Sequence, residues 1–198
     1  MKRVLLLGDS IRMGYDGYVK EILSGEFEVV YDDADNGRFS AYTLWQANQF
    51  FKNHGRFDVV HWNNGYWDMN IEPPMTGPIH PVGEYVHYLG RILGEIRRNG
   101  AVPVFATTVP VLSKEAAKDV TREGIGAFSY ENEWVVKYNA VAVAFMQSER
   151  VAVNDLYSLC LEDPYFYKCP DLLHLTEEGY RRCAEQTADA IREAAKNA

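Results

Sequence analysis

The chain has 198 residues, 47% of them apolar and 24% charged, which suits a globular protein with a full core and excludes a disordered or fibrous one. A net charge of −8 excludes nucleic acid and anionic membrane surfaces as favoured partners, and no apolar run approaches the ~18 residues that cross a bilayer. Three cysteines, Cys160, Cys169 and Cys183, are widely spaced and lack zinc-type pairs, which predicts reduced structural thiols and no metal.

The first predicted strand, Arg3–Leu7, follows Lys2 and runs straight into Gly8-Asp9-Ser10. Basic residues before a short apolar run imitate a signal peptide, but the run ends too soon, so the expected location is cytoplasmic. Further strands are predicted at Phe27–Tyr31, Asp58–Asn63, Val102–Thr107 and Val151–Asn154. All are short, rich in Val and Leu and mostly apolar on both faces, as parallel strands covered on two sides require.

Helical stripes separate them. Tyr85, Tyr88, Leu89, Ile92, Leu93 and Ile96 precede the stop signal Asn99-Gly100. Trp134, Tyr138, Val141, Ala142 and Phe145 form a second stripe. Tyr180, Ala184, Ala188 and Ile191 form a third, with Thr176 as N-cap and Glu177 and Glu178 complementing the helix dipole. The connections at 66–81 and 108–128 are long enough to build a site. No repeat or linker interrupts the pattern, which predicts one domain over residues 1–198. Alternating strands and helices imply an open parallel sheet with helices on both faces and a ligand site beyond the carboxyl ends of its strands.

Ser10 stands at such an end. It is either the N-cap of the first helix or a nucleophile. The phosphate-loop alternative lacks its glycine spacing and its Lys-Ser/Thr pair. A nucleophilic serine needs a base, and the base needs an orienting group. Of five histidines, His54, His61, His80 and His87 lie in a polar loop, a strand, beside a proline and on a helix, where structural roles suffice. His174 lies in the irregular stretch Pro170-Asp171-Leu172-Leu173-His174, just before the last helix. Asp171, three residues upstream, is within reach of the imidazole Nδ1, though the same spacing also serves a turn or a cap.

Taken together, Gly8-Asp9-Ser10 and Asp171-x-x-His174 resemble the SGNH (GDSL-like) hydrolase superfamily over nearly the whole chain. The resemblance implies a three-layer α/β/α sandwich with a five-stranded parallel sheet, flavodoxin-like. It makes Ser10 the nucleophile, His174 the general base and acid, and Asp171 the orienting carboxylate, with no cofactor. It also implies backbone and asparagine donors to the oxyanion: Ser10, Gly37 (or Ser40 in its place) and an amide after the third strand. The last of these departs from the family pattern. In Asn63-Asn64-Gly65-Tyr66-Trp67-Asp68, Trp67 stands where the family has asparagine; either Asn63 or Asn64 carries the amide, with Asn63 favoured by strand parity, or Trp67 is itself the donor, or both amides only cap the strand end.

Arg12 is a candidate contact for an anionic or polyol substrate, or else a partner of Asp16 or Asp68. Trp62, Tyr66 and Trp67 form either a wall for a sugar ring or part of the core. Asp155 is a reserve carboxylate or the start of a short helix. The function implied is hydrolysis of a small or carbohydrate-linked ester by a serine esterase, the partner being a small-molecule substrate such as an acylated sugar. A lipase or thioesterase on the same scaffold and a non-catalytic carbohydrate-binding relative are the alternatives.

Overall fold

The structure, a computed structural model, describes residues 1–71, 73–111, 131–163, 166 and 173–198. Five strands, β1 (Lys2–Leu7), β2 (Phe27–Val30), β3 (Val59–Asn63), β4 (Val102–Ala106) and β5 (Ala152–Asn154), form one sheet in the order β2-β1-β3-β4-β5. Every pairing is parallel, with Leu7 beside Trp62 and Asn63 beside Ala106. The helices are α1 (Ser10–Ile22), α2 (Ser40–His54), α3 (Tyr66–Met69), α4 (Val82–Asn99), α5 (Asn132–Ser148), α6 (Leu156–Leu161) and α7 (Glu177–Ala194). Helix α1 packs on α7, and α4 packs on both α2 and α5, giving the α/β/α arrangement with helices on both faces.

The strands lie where the apolar runs are, and their ends shift for identifiable reasons. β3 begins at Val59 because the Asp58 carboxylate takes the Arg3 N–H at 2.6 Å. β4 ends at Ala106 because the Thr107 hydroxyl turns to the next connection, accepting from the Tyr157 N–H at 2.9 Å and donating to Asp155 Oδ1. Asp155 itself caps α6 by accepting from the Ser158 N–H at 3.1 Å and its hydroxyl at 2.7 Å. Its helix-starting alternative is the one observed.

The α4 stripe is buried at Tyr85, Leu89, Ile92, Leu93 and Ile96, and the helix stops at Gly100 with φ 83°, a left-handed conformation that favours glycine. In α5 the buried face is Val135, Tyr138, Asn139, Ala142 and Met146, rotated from the predicted stripe. Asn139 draws it round: its carboxamide donates to the Thr108 carbonyl at 2.8 Å and accepts from the Thr108 N–H at 2.9 Å. Thr176 caps α7 by accepting from the Gly179 N–H at 3.2 Å. Cys160 and Cys183 are buried free thiols with Sγ atoms 3.6 Å apart, while Cys169 lies outside the described residues. Among the described residues no helix is long and apolar enough to cross a membrane.

His61 sits fully buried in β3, its Nε2 accepting from Asn154 Nδ2 at 3.0 Å. Burial pushes its pKa from 6.5 down to about 3. The folded protein therefore keeps this ring neutral while the unfolded chain protonates it, and stability falls as pH drops below 6.5. The slope is about 1.4 kcal/mol per pH unit until the folded pKa is reached. Urea midpoints measured from pH 7.5 to 5 should fall more steeply for the wild type than for His61→Gln, which keeps an acceptor but does not titrate. Parallel curves would rule out this contribution.

Candidate active site

β1 delivers its chain to the carboxyl edge of the sheet, where Gly8 turns with φ 148°. A Cβ at this position would lie 1.9 Å from Asn63 Oδ1, so only glycine fits between the strand end and that side chain. The next residue, Asp9, is the N-cap of α1, its Oδ1 accepting from the Ile11 N–H at 3.0 Å. The capping alternative for Ser10 is thereby taken by its neighbour, which leaves the serine hydroxyl free. His174 Nε2 lies 2.8 Å from Ser10 Oγ, across 164 residues of sequence. Asp171 lies outside the described residues. Burial raises the pKa of Asp9, opposed by the hydrogen bonds from Asn63 and Ile11.

The predicted donors divide. The Gly37 N–H donates to the Gly8 carbonyl at 2.8 Å, and the Ser40 N–H donates to the Asp68 carboxylate at 3.0 Å, so neither is open to an oxyanion. One residue beyond Gly37 the backbone turns left-handed, at Arg38 with φ 49°. The Arg38 N–H is held by the exposed side chain of Asn36 at 2.8 Å. The N–H groups of Ser10 and Phe39 have no acceptor among the described residues.

Asn64 is fully buried, and its Nδ2 donates to Thr43 Oγ1 at 2.8 Å and to the Arg38 carbonyl at 3.2 Å. Its amide holds the turn, which corrects its candidacy as a donor. Asn63 Nδ2 donates one hydrogen to Asp9 Oδ1 at 3.0 Å. Its second hydrogen has no acceptor among the described residues.

Two predicted substrate contacts are internal. Arg12 is 2% exposed, and its guanidinium donates to Asp16 Oδ2 at 2.7 Å, the Asp32 carbonyl at 2.7 Å and the Asp35 carbonyl at 3.0 Å. Burial pushes the Asp16 carboxyl up to about 6 in spite of this partner. Trp62 is wholly buried edge-on to Phe105, with ring centroids 5.3 Å apart, because β3 is covered on both faces. Trp67 is half-buried on α3, and the buried Tyr66 donates its hydroxyl to the Val109 carbonyl at 2.6 Å.

Sequence reasoning missed a buried knot beside the site. Asp68 accepts from the Ser40 N–H, from Ser40 Oγ at 2.6 Å and from His80 Nδ1 at 2.6 Å. Its clue was an aspartate following Gly65 and a histidine ending the 66–81 connection, but a separation of 12 residues carries no local pattern. Among the described residues no cluster of three or more His, Cys, Asp or Glu side chains forms a metal site.

Comparison with known proteins fits this geometry. No family model and no curated protein matches the sequence, but solved structures match over nearly its full length. A lipase/acylhydrolase from Enterococcus faecalis is 19% identical, with 98% of this chain and 96% of that one covered at a TM-score of 0.75. A carbohydrate acetylesterase from Sinorhizobium meliloti is 14% identical, with 98% and 99% covered at 0.72. A GDSL-like lipase from Bacteroides thetaiotaomicron is 17% identical, with 99% of this chain and 88% of that one covered at a TM-score of 0.69. The chain has the fold of the SGNH hydrolases.

The Asp68 knot fixes where α2 begins. Replacing Asp68 with alanine strands the Ser40 and His80 donors in a buried place, and should destabilise the protein by about 3 kcal/mol. Urea denaturation tests this, and a loss under about 1 kcal/mol would show that the knot is not structural.

Proposed function

We propose that the protein is a serine ester hydrolase of the SGNH type, acting on a small or carbohydrate-linked carboxylic ester. The observation that carries this reading is the 2.8 Å approach of His174 Nε2 to a Ser10 hydroxyl relieved of capping by Asp9. A serine and a histidine at the carboxyl edge of a parallel sheet are a nucleophile and its base.

Ser10 Oγ attacks the ester carbonyl carbon while His174 Nε2 takes its proton. The oxyanion is met by the N–H groups of Ser10 and Phe39 and by the second amide hydrogen of Asn63. Collapse of this intermediate expels the alcohol, which receives the proton from His174 and leaves Ser10 acylated. Water then attacks the acyl-enzyme, giving its proton to His174, and the second collapse frees the acid and restores Ser10. Asp171, as the orienting carboxylate, stabilises the imidazolium formed in each half. No step calls for a Lewis acid. The likeness in fold to a carbohydrate acetylesterase supports a short acyl group on a polar alcohol.

A fluorophosphonate probe should label Ser10 in the wild type and leave Ser10→Ala and His174→Ala unlabelled. Turnover of p-nitrophenyl acetate should fall by about a thousandfold or more in these two variants, and strongly in Asp171→Asn. A wild type that neither takes up the probe nor cleaves any of a panel of p-nitrophenyl esters would overturn the reading.

Asn63→Ala should lower kcat by roughly a hundredfold with KM little changed, because the donor acts only on the oxyanion. Asn64→Ala should instead appear mainly as lost stability, since its amide holds Thr43 and Arg38. Small, equal losses of kcat in both would assign the oxyanion to backbone donors alone.

A further inference from the structure

The same β2–α2 loop that Gly8 and Arg12 hold beside Ser10 forms one wall of a separate groove of about 270 Å³, whose other wall is α2. Two stripes of α2 line it. Trp45, Gln49 and Asn53 follow one another four residues apart, and Phe50 and His54 lie on the adjoining stripe. Trp45 is 54% exposed, unusual for so large an aromatic ring.

This indole is held in place. Its ring stacks on Tyr42 with centroids 5.5 Å apart at 27°. The Tyr42 hydroxyl is anchored on the Asp35 carboxylate at 2.9 Å, and Gln46 Nε2 braces the same carboxylate at 2.7 Å. The Arg38 guanidinium covers Tyr42 at 5.2 Å. Along the groove, the amides of Gln49 and Asn53 and Asp32 Oδ2 have no partner among the described residues. A rigid aromatic face is thus followed by open donors and acceptors over the ~12 Å between Trp45 and Asn53.

The chemistry narrows the ligand. Two carboxylates line the groove and His54 is its sole basic side chain, which disfavours phosphate or carboxylate ligands. The Asp35 carboxylate is already engaged by Tyr42 and Gln46, leaving only Asp32 for a cation. Trp45 and Phe50 are too few for an acyl chain among so many polar groups. A neutral polyol ring fits: its C–H face lies on an indole while its hydroxyls exchange hydrogen bonds with carboxamides and a carboxylate. We infer that this groove binds a neutral oligosaccharide, anchoring the sugar portion of the substrate outside the catalytic centre. The assignment of the sugar as substrate rests on the esterase reading above, whereas the binding itself does not.

The test uses ¹⁵N-labelled Ser10→Ala protein, so that binding is read without turnover. It is titrated with cello-, xylo-, manno- and chito-oligosaccharides, observing the Trp45 indole N–H signal. At least one sugar should shift that signal saturably. Trp45→Ala should weaken the binding by about tenfold or more, and Trp45→Tyr should restore part of it. Absence of any saturable shift, or undiminished binding by a folded Trp45→Ala protein, would overturn the inference. Because probe labelling of Ser10 is scored separately, a failure of the hydrolase reading and a failure of the groove give different results.

Discussion

Burying a guanidinium costs several kcal/mol of lost hydration unless acceptors replace the water, and in this protein Arg12 finds them on two different elements. Asp16, one turn along α1, supplies a carboxylate, while Asp32 and Asp35 supply carbonyls from the loop after β2. The two carbonyl contacts form only when α1 and that loop are seated together. Once the loop is fixed, Gly37 can reach the Gly8 carbonyl, Arg38 can adopt its left-handed turn, and Ser40 can begin α2 on the Asp68 carboxylate. Both sides of the sheet edge at Ser10, and the groove beyond it, are tied to where this one cation is placed.

The layout of the fold was legible because parallel strands buried on two faces leave continuous apolar runs, and all five runs became strands. The serine–histidine pairing was legible because both residues stand next to elements whose ends are predictable: β1 before Ser10 and the capped α7 after His174. What escaped was set by tertiary contact. A charged residue such as Arg12 is ordinarily read as exposed, and nothing local announces two carbonyls from another element. Gly37 was the choice for a backbone donor, yet its N–H is taken by the Gly8 carbonyl, and the following turn at Arg38 is held on either side by Asn36 and Asn64. Asp9 and Ser10 are both good cap formers, so sequence alone could not divide the two tasks between them. The α5 stripe was misjudged for a related reason: one buried asparagine bonded to Thr108 outweighs the apolar phase of the helix.

The two outer strands of the sheet have only four and three residues, β2 and β5. The long apolar strands β1, β3 and β4 lie between them, with their backbone groups paired on both sides. On β2 the exposed Glu28 is joined to its cross-strand neighbour Arg3 of β1 at 3.1 Å, which puts a charged pair beside that margin. An open strand margin is the template on which copies of a chain zip together into fibrils. By keeping its margins short and one of them charged, this fold holds its stickiest sequence in the interior and resists self-stacking.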